Sequence, residues 1–528
     1  MPEWERGAMA SDVNPAATDD STVAGTIAGL LATARWFGGK AVGVDRVRLH
    51  DRVPLPDSGG AELLLVDVHA AGRSAAERYV VVRRGPDGDA RDDAAALARW
   101  LAAAIEQPTT LPGRAGRFVV HATSGAASGA AGRDGHAWAA APPDDGIVPL
   151  GGDASNSSFL VPTAEAGLCV KVLRRCRAGI QPEVEVGEFL ARESSWRETP
   201  RLRGWLEYVE DRPPPAAAVS TAVATVHDFT PGCTTAWDQL SRLLAAGGSG
   251  AVAIDPLLPI VARIGGATAR MHGALASRPT VAAFAPRPAG AAARRSLAAA
   301  MAGHAIEVFA RVEREGARQP AAVARRLRAL LAARARLVGR FERLETIPAT
   351  APDIRVHGDY HLGQVLVGDA DDRVLVIDFE GEPGRPLEER RAAWSAAKDV
   401  AGMCRSFDYL LRQAAKAGGP AYDAAAVARL EGCFLDAYRA AAAGGGWWPA
   451  TDAEAAGLLE AFRLDKAIYE LAYELDNRPD WIDVPLAAVE QAAASGDAAA
   501  VEQAAASGDA AAVEQTASQG DAAAAPPA

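Results

Sequence analysis

The segment His357-Gly358-Asp359-Tyr360-His361-Leu362-Gly363-Gln364 gathers a carboxylate, two imidazoles and an amide. Downstream, Asp378-Phe379-Glu380-Gly381-Glu382 supplies further acids. Two apolar runs lie between them, Val365-Leu366-Val367 and Val374-Leu375-Val376-Ile377, around the turn Gly368-Asp369-Ala370-Asp371-Asp372. This pattern predicts a hairpin that returns Asp359, Gln364 and Asp378 to one end of a two-stranded sheet. Phosphoryl transfer needs such an end: one carboxylate to orient and deprotonate a hydroxyl, and other oxygens to hold magnesium against a triphosphate. Asp359 suits the first role. Asp378 and the Gln364 amide oxygen suit the second, because Mg2+ prefers hard oxygen ligands. Singly, each is an ordinary polar turn residue. At about 5% usage per residue type, the whole HGDxHxxQ pattern arises by chance in well under about one chain in a thousand of this length.

A second candidate set lies upstream. Lys171 interrupts the apolar run Leu168-Cys169-Val170-Lys171-Val172-Leu173. A charge there is costly unless paired or ligand-bound. The helix expected from Pro182 offers Glu183, Glu185 and Glu188 as partners. In kinase-type sites a strand Lys binds the α/β-phosphates of ATP and a helix Glu orients it. The plainer alternative is an edge-strand Lys that snorkels to solvent. Between two strands ahead of Lys171, Gly151-Gly152-Asp153-Ala154-Ser155-Asn156-Ser157-Ser158 forms a small-residue loop. Ser155, Asn156 and Ser157 there would contact phosphates through backbone N–H groups and hydroxyls. The loop matches neither GxGxxG nor GxxxxGK[ST], and an ordinary hairpin loop is the alternative. Val226-His227-Asp228-Phe229 closes the last β segment, where an adenine-contacting hinge would fall, with His227 and Phe229 contributing backbone groups.

The elements that must position these residues follow from composition and periodicity. A chain of 528 residues implies two or three domains. Residues 1–24 are polar and expected to be disordered. Residues 25–110 read as a small α+β unit: a short helix, strands near 47–50, 63–68 and 79–82, and a helix over 93–105. Residues 111–232 read as a β-rich nucleotide-binding lobe, broken at Thr230-Pro231-Gly232. Residues 233–487 show helical apolar spacing over 254–276, 290–316, 320–346, 394–416, 422–442 and 452–478, with the hairpin embedded among them. Residues 488–528 carry a twelve-residue repeat, Val489-Glu490-Gln491-Ala492-Ala493-Ala494-Ser495-Gly496-Asp497 recurring at Val501 and Val513. This tail is too polar and small-residue-rich to be expected to bury a core. The fold class is thus α+β, with β elements preceding a helical lobe and the chemistry at the junction, as in two-lobed kinases.

The net charge is −12, yet most of it sits at the ends, with −4 in the first 25 residues and −6 after Pro485. A near-neutral body of about −2 carries no general argument for nucleic acid or an anionic membrane. The Arg-rich stretch Arg325 to Arg343 has Leu and Val spacing that predicts the solvated face of a packed helix. His272 is expected to be a packed or capping histidine. Five scattered cysteines without a CxxC pair suit free thiols in a reducing cytoplasm, the expected location, and oppose a zinc site. No apolar run resembles a signal peptide or membrane span.

On these motifs the chain resembles the maltokinase family, bacterial relatives of aminoglycoside phosphotransferases with a eukaryotic-kinase-like fold. The resemblance extends from Arg35-Trp36-Phe37-Gly38-Gly39-Lys40 through Asp378-Phe379-Glu380-Gly381-Glu382-Pro383 and Lys398-Asp399-Val400-Ala401-Gly402-Met403 to Asn477-Arg478-Pro479-Asp480-Trp481. It implies an N-terminal cap subdomain, a β-rich intermediate lobe and a helical C-lobe. It implies transfer of the ATP γ-phosphate to the anomeric hydroxyl of maltose, giving maltose 1-phosphate for α-glucan synthesis. Asp359 would be the base, Gln364 and Asp378 the magnesium ligands, and Lys171 the phosphate contact. The family pattern selects Glu185 as the partner of Lys171. Acceptor contacts would come from Asp359, His361, Arg405, Tyr469, Glu470, Tyr473 and Glu474. On a helix, Glu470 and Glu474 share one face, as do Tyr469 and Tyr473. A tyrosine-packed helix with solvated glutamates is the alternative. The chain lacks the usual Ser-Pro ahead of Lys398, and no trehalose synthase domain is attached. A glucosamine or other aminosugar kinase on the same scaffold is the second reading, and a nucleotide-binding pseudokinase the third. The expected partners are ATP and a small sugar, without nucleic acid or membrane, and the expected state is a monomer or weak homodimer.

Overall fold

The computed structural model describes residues 20–37, 43–70, 75–84, 92–123, 146–151, 156–164, 166–212, 218–246, 254–419 and 422–494. The described residues form two compact units that divide at Pro231/Gly232, with Arg192–Pro200 belonging to the second. None of the described helices is long and apolar enough to cross a membrane.

In the first unit, a helix spans Asp20–Thr33. It starts inside the stretch expected to be disordered because Val23, Ile27 and Leu31 recur one turn apart and are all fully buried. They pack on Leu64, Val66 and Val68 of the strand Ala61–Ala70. Leu63 and Leu65 of that strand point to its other face and enter a second core with Leu97 and Leu101 of the helix Ala94–Ala104. Side chains alternate along a strand, so the unbroken apolar run 63–66 serves two cores at once. The second core also takes Val170, Val172, Leu206 and Val226 from a seven-stranded sheet. The small α+β part and the β-rich part of the first unit therefore share one interior.

The seven strands run in the order Thr110–Pro112, Gly116–Ala122, Leu202–Glu210, Val219–Asp228, Leu168–Val172, Ser157–Val161, Val148–Leu150. Leu202–Glu210 was not anticipated, since Arg203, Gly204 and Glu207 interrupt the alternation that marks a strand. Gly116–Ala122 was missed as well.

The second unit is mainly helical. The hairpin Val365–Gly368/Val374–Val376 forms as expected and gains a third strand, Cys233–Thr235. Around it lie the helices Ala236–Ala246, Leu258–Leu275, Ala291–Glu315, Ala397–Lys416, Ala424–Ala442 and Asp452–Asn477. Asp423 and Thr451 cap the last two by accepting the N–H groups of Ala426 and Glu454. The segment 320–346 is not one helix: it breaks into Ala321–Ala332, Arg334–Gly339 and a 3-10 stretch. The helix expected from 394 starts at Ala397, because Ala393–Trp394 pairs as a strand with Ile354–Arg355.

Helix also continues over 483–494, into the first copy of the repeat. Val489 there is fully buried. Arg326 holds Glu490 at 2.7 Å and Asp483 at 2.6 Å, and Arg340 holds the Ala492 carbonyl. Packing thus passes residue 488, and two arginines expected on a solvated face clamp this terminal helix. The remaining repeats, the Gly/Ala-rich stretch 124–135 and residues 38–40 lie outside the described residues.

Candidate active site

The first unit places Lys171 on an interior strand, between Ser158 on one neighbour and Thr225 on the other. It is 7% exposed, so the snorkelling edge lysine is excluded. Its Nζ lies 3.3 Å from Glu183 Oε2. The resemblance had selected Glu185. Residues two apart on a helix point about 200° apart, and the register of Pro182–Glu193 buries Glu183. Glu183 is therefore an acid that this structure sets against Lys171. His227 also approaches Glu183, at 3.3 Å. Ser157 Oγ accepts from Arg174 Nε at 2.9 Å, which ties the loop's end to the sheet. Asn156 is half-buried beside it, and Ser155 lies outside the described residues. The Phe229 amide donates to the Gly167 carbonyl at 3.0 Å, so this N–H is engaged within the chain.

In the second unit the hairpin brings Gln364 and Asp378 together. Gln364 Nε2 donates to Asp378 Oδ2 at 3.0 Å. The Ile377 amide donates to the Gln364 carbonyl at 3.0 Å, closing the base of the pair. With its nitrogen engaged, Gln364 keeps its amide oxygen as a ligand atom. Asp378 sits at φ +69°, a left-handed conformation uncommon for a non-glycine residue. Strain of this kind is typical where a carboxylate must be aimed. An amide oxygen and a carboxylate so placed fit Mg2+.

The loop carrying Asp359 is held from outside. Asp399, in the first turn of the helix Ala397–Lys416, accepts the amides of His357 at 2.7 Å and Gly358 at 2.9 Å. His272 Nε2 completes the set at 3.0 Å, with Tyr438 at its Nδ1 at 2.8 Å. His272 is thus a buried structural histidine, as expected. Burial alone would raise the Asp399 pKa, but the His272 bond and charge outweigh it and hold the carboxyl below its usual range. His357 Nε2 donates to the Ile377 carbonyl at 2.8 Å, tying the loop to the strand that leads into Asp378. Gly358 at φ +89° meets Gly381 closely enough that an added Cβ would stand 3.3 Å from the Gly381 Cα.

His361 accepts the Gly363 amide at Nδ1, 3.1 Å, and so caps the turn that presents Gln364. Burial lowers its pKa and favours the neutral ring.

Lys466 was not foreseen. Its Nζ lies 2.9 Å from Asp359 Oδ1 and 2.8 Å from Glu382 Oε1. Burial works against this ammonium, but the charges of Asp359 and Glu382 outweigh it and raise its pKa well above the usual value. Glu382 also meets Arg385 at 2.6 Å, and Arg385 reaches Asp465 at 3.1 Å. The only sequence signal for Lys466 was its position one turn before Tyr469 and Glu470.

The expected acceptor residues divide. Arg405 binds Glu470 at 2.7 Å and Asp408 at 2.8 Å. Glu474 is 1% exposed, with Arg478 at 2.7 Å and the Tyr409 hydroxyl at 3.3 Å, so it is not the solvated acid of the packed-helix alternative. Tyr469 lies under the Lys466 ammonium, 4.9 Å from ring centre to Nζ. Tyr473 is 41% exposed, with the Arg478 guanidinium 5.5 Å from its ring centre.

Comparison with known proteins places this geometry. Residues 146–381 match the model of the phosphotransferase enzyme family, APH. The chain is 31% identical over 446 residues to a glucosamine kinase of Streptacidiphilus jiangxiensis, covering 82% of this chain and 90% of that one. It is 30% identical over 275 residues to a glucosamine kinase of Mycolicibacterium smegmatis, covering 51% of this chain and 62% of that one. A solved glucosamine kinase in complex with glucosamine, ADP and inorganic phosphate superposes with a TM-score of 0.56 at 27% identity, over 88% of this chain and 98% of that one. The chain therefore belongs to the phosphotransferase enzyme family and has its protein-kinase-like fold, a β-rich lobe followed by a helical region.

Proposed function

We propose that the protein is a sugar kinase that transfers the γ-phosphate of ATP to a hydroxyl of an aminosugar, with glucosamine as the leading candidate. The observation that carries the sugar is the 31% identity to a glucosamine kinase over 90% of that enzyme's length. The motif resemblance pointed first to maltose and maltose 1-phosphate. The relatives matched along the chain instead favour the aminosugar alternative.

The chemistry is carried by the second unit. Asp359 orients the acceptor hydroxyl and takes its proton. Asp399 and His357 keep the loop in place while this happens. Gln364 and Asp378 would hold Mg2+, which when bound offsets charge on the phosphates. In the first unit, Glu183 holds the Lys171 ammonium ready for the α- and β-phosphates. Retention of Lys171, Asp359, Gln364 and Asp378 together disfavours a pseudokinase.

A coupled ADP-release assay over glucosamine, glucose, maltose and an aminoglycoside tests the proposal. The highest kcat/KM is expected with glucosamine. Preference for maltose would restore the first reading, and ATP binding without turnover of any acceptor would leave the pseudokinase. Asp359→Asn is expected to lower kcat by about 10²–10⁴-fold while ADP affinity stays near normal; near-normal turnover would remove Asp359 as the base.

A further inference from the structure

The Lys466 ammonium joins two segments of the site. On one side is Asp359 Oδ1, at 2.9 Å, and on the other is Glu382 Oε1, at 2.8 Å. Glu382 is 4% exposed and is itself fixed by Arg385. Lys466 is therefore braced from behind, with the Tyr469 ring beneath it. The arrangement engages one oxygen of Asp359. Among the described residues, the other, Oδ2, has no hydrogen-bond partner.

This asymmetry bears on which acceptor atom reaches the base. A bare carboxylate binds an ammonium by charge-assisted hydrogen bonds, roughly twice as strong as neutral ones. An aminosugar offered such a carboxylate would dock its nitrogen there and hold its hydroxyl away from the phosphate. A fixed ammonium already on the carboxylate opposes that pose by like-charge repulsion.

We propose that Lys466 is a positioning residue that fixes Asp359 with Oδ2 left for the acceptor, and that its charge keeps an acceptor ammonium off the base, so that the acceptor hydroxyl occupies that carboxylate oxygen. The inference rests on the aminosugar reading. In the step it serves, the acceptor O–H proton passes to Asp359 Oδ2. The acceptor oxygen forms a bond to the γ-phosphorus, the bond from that phosphorus to the β,γ-bridging oxygen breaks, and ADP leaves with the electron pair.

The test compares Lys466→Met and Lys466→Arg with the native chain. Steady-state rates are measured with glucosamine, and calorimetry gives affinities for glucosamine, glucose and ADP. Lys466→Met is expected to lose about 10²-fold in kcat through misplacement of the base, with ADP affinity unchanged. Its affinity for glucosamine should rise relative to glucose, because the amine can then occupy the freed carboxylate. Lys466→Arg, which keeps the cation, should recover about tenfold of the lost rate. If the Met variant does not fold, Lys466→Gln replaces it under the same criteria. A kcat within twofold of native, or equal shifts in glucosamine and glucose affinity, overturns the inference. Native turnover of glucosamine with an unaffected Met variant removes the inference alone. Native failure on every sugar removes the aminosugar reading together with it.

Discussion

The Asp399 carboxylate accepts the backbone amide of His357 at 2.7 Å, from a helix outside the loop that carries Asp359. With Gly358 and His272 as further donors, one buried side chain anchors the backbone just ahead of Asp359. Asp399→Asn exchanges an acceptor oxygen for a donor facing an N–H group. The expected cost is about 2 kcal/mol of stability and about 10²-fold in kcat, read by denaturant melts and initial rates. Unchanged rates would show that the loop is positioned by other contacts.

Gln364 and Asp378 make separable predictions. Asp378→Ala should abolish turnover at any Mg2+ concentration. Gln364→Ala should keep measurable turnover but raise the Mg2+ concentration for half-maximal rate by about tenfold, as loss of a neutral ligand would. A Mg2+ titration of initial rates checks both, and identical curves for native and Gln364→Ala protein would remove Gln364 from the metal site.

The choice between two neighbouring acids is also open to measurement. Glu183→Gln should weaken ADP·Mg2+ binding by about tenfold, since Lys171 loses the partner that aims it. Glu185→Gln should leave it within about twofold. The reverse order would reinstate the acid selected by the motif resemblance.

Asp353 supplies a pH dependence of stability away from the chemistry. Burial raises its pKa from 3.8 to about 6, only partly countered by Arg294. The folded chain therefore keeps this proton to higher pH than the unfolded chain. Its contribution becomes unfavourable as pH rises from about 4 through 6, and the penalty is complete above that. Asp353→Asn should stabilise the protein by about 1–2 kcal/mol at pH 8 and by almost nothing at pH 4. Urea melts at the two pH values check the difference.

How much of this was legible in the sequence depended on where each signal lies along the chain. The hairpin and the Gln364–Asp378 pair were readable because a short turn joins them, so spacing alone brings them together. Lys171 was readable as a charge in an apolar run, but its partner was not, because choosing Glu183 over Glu185 depends on helix register. Lys466 and Asp359 are far apart in sequence, and no local pattern announces that they meet. Leu202–Glu210 stayed hidden because its charges break the alternation, although both of its neighbours in the sheet are paired strands. The acidic face of Asp452–Asn477 was visible, while the pairing of Glu470 with Arg405 and of Glu474 with Arg478 depends on tertiary packing and helix geometry.

The hold of Arg326 on Glu490 sets a practical minimum length for the protein. A version ending after residue 494 keeps Val489 and both acids that Arg326 grips. A version ending after residue 487 would lose Val489, worth about 2 kcal/mol when buried, and would leave Arg326 with Asp483 alone. Affinity tags and fusion partners at this end therefore belong beyond residue 494.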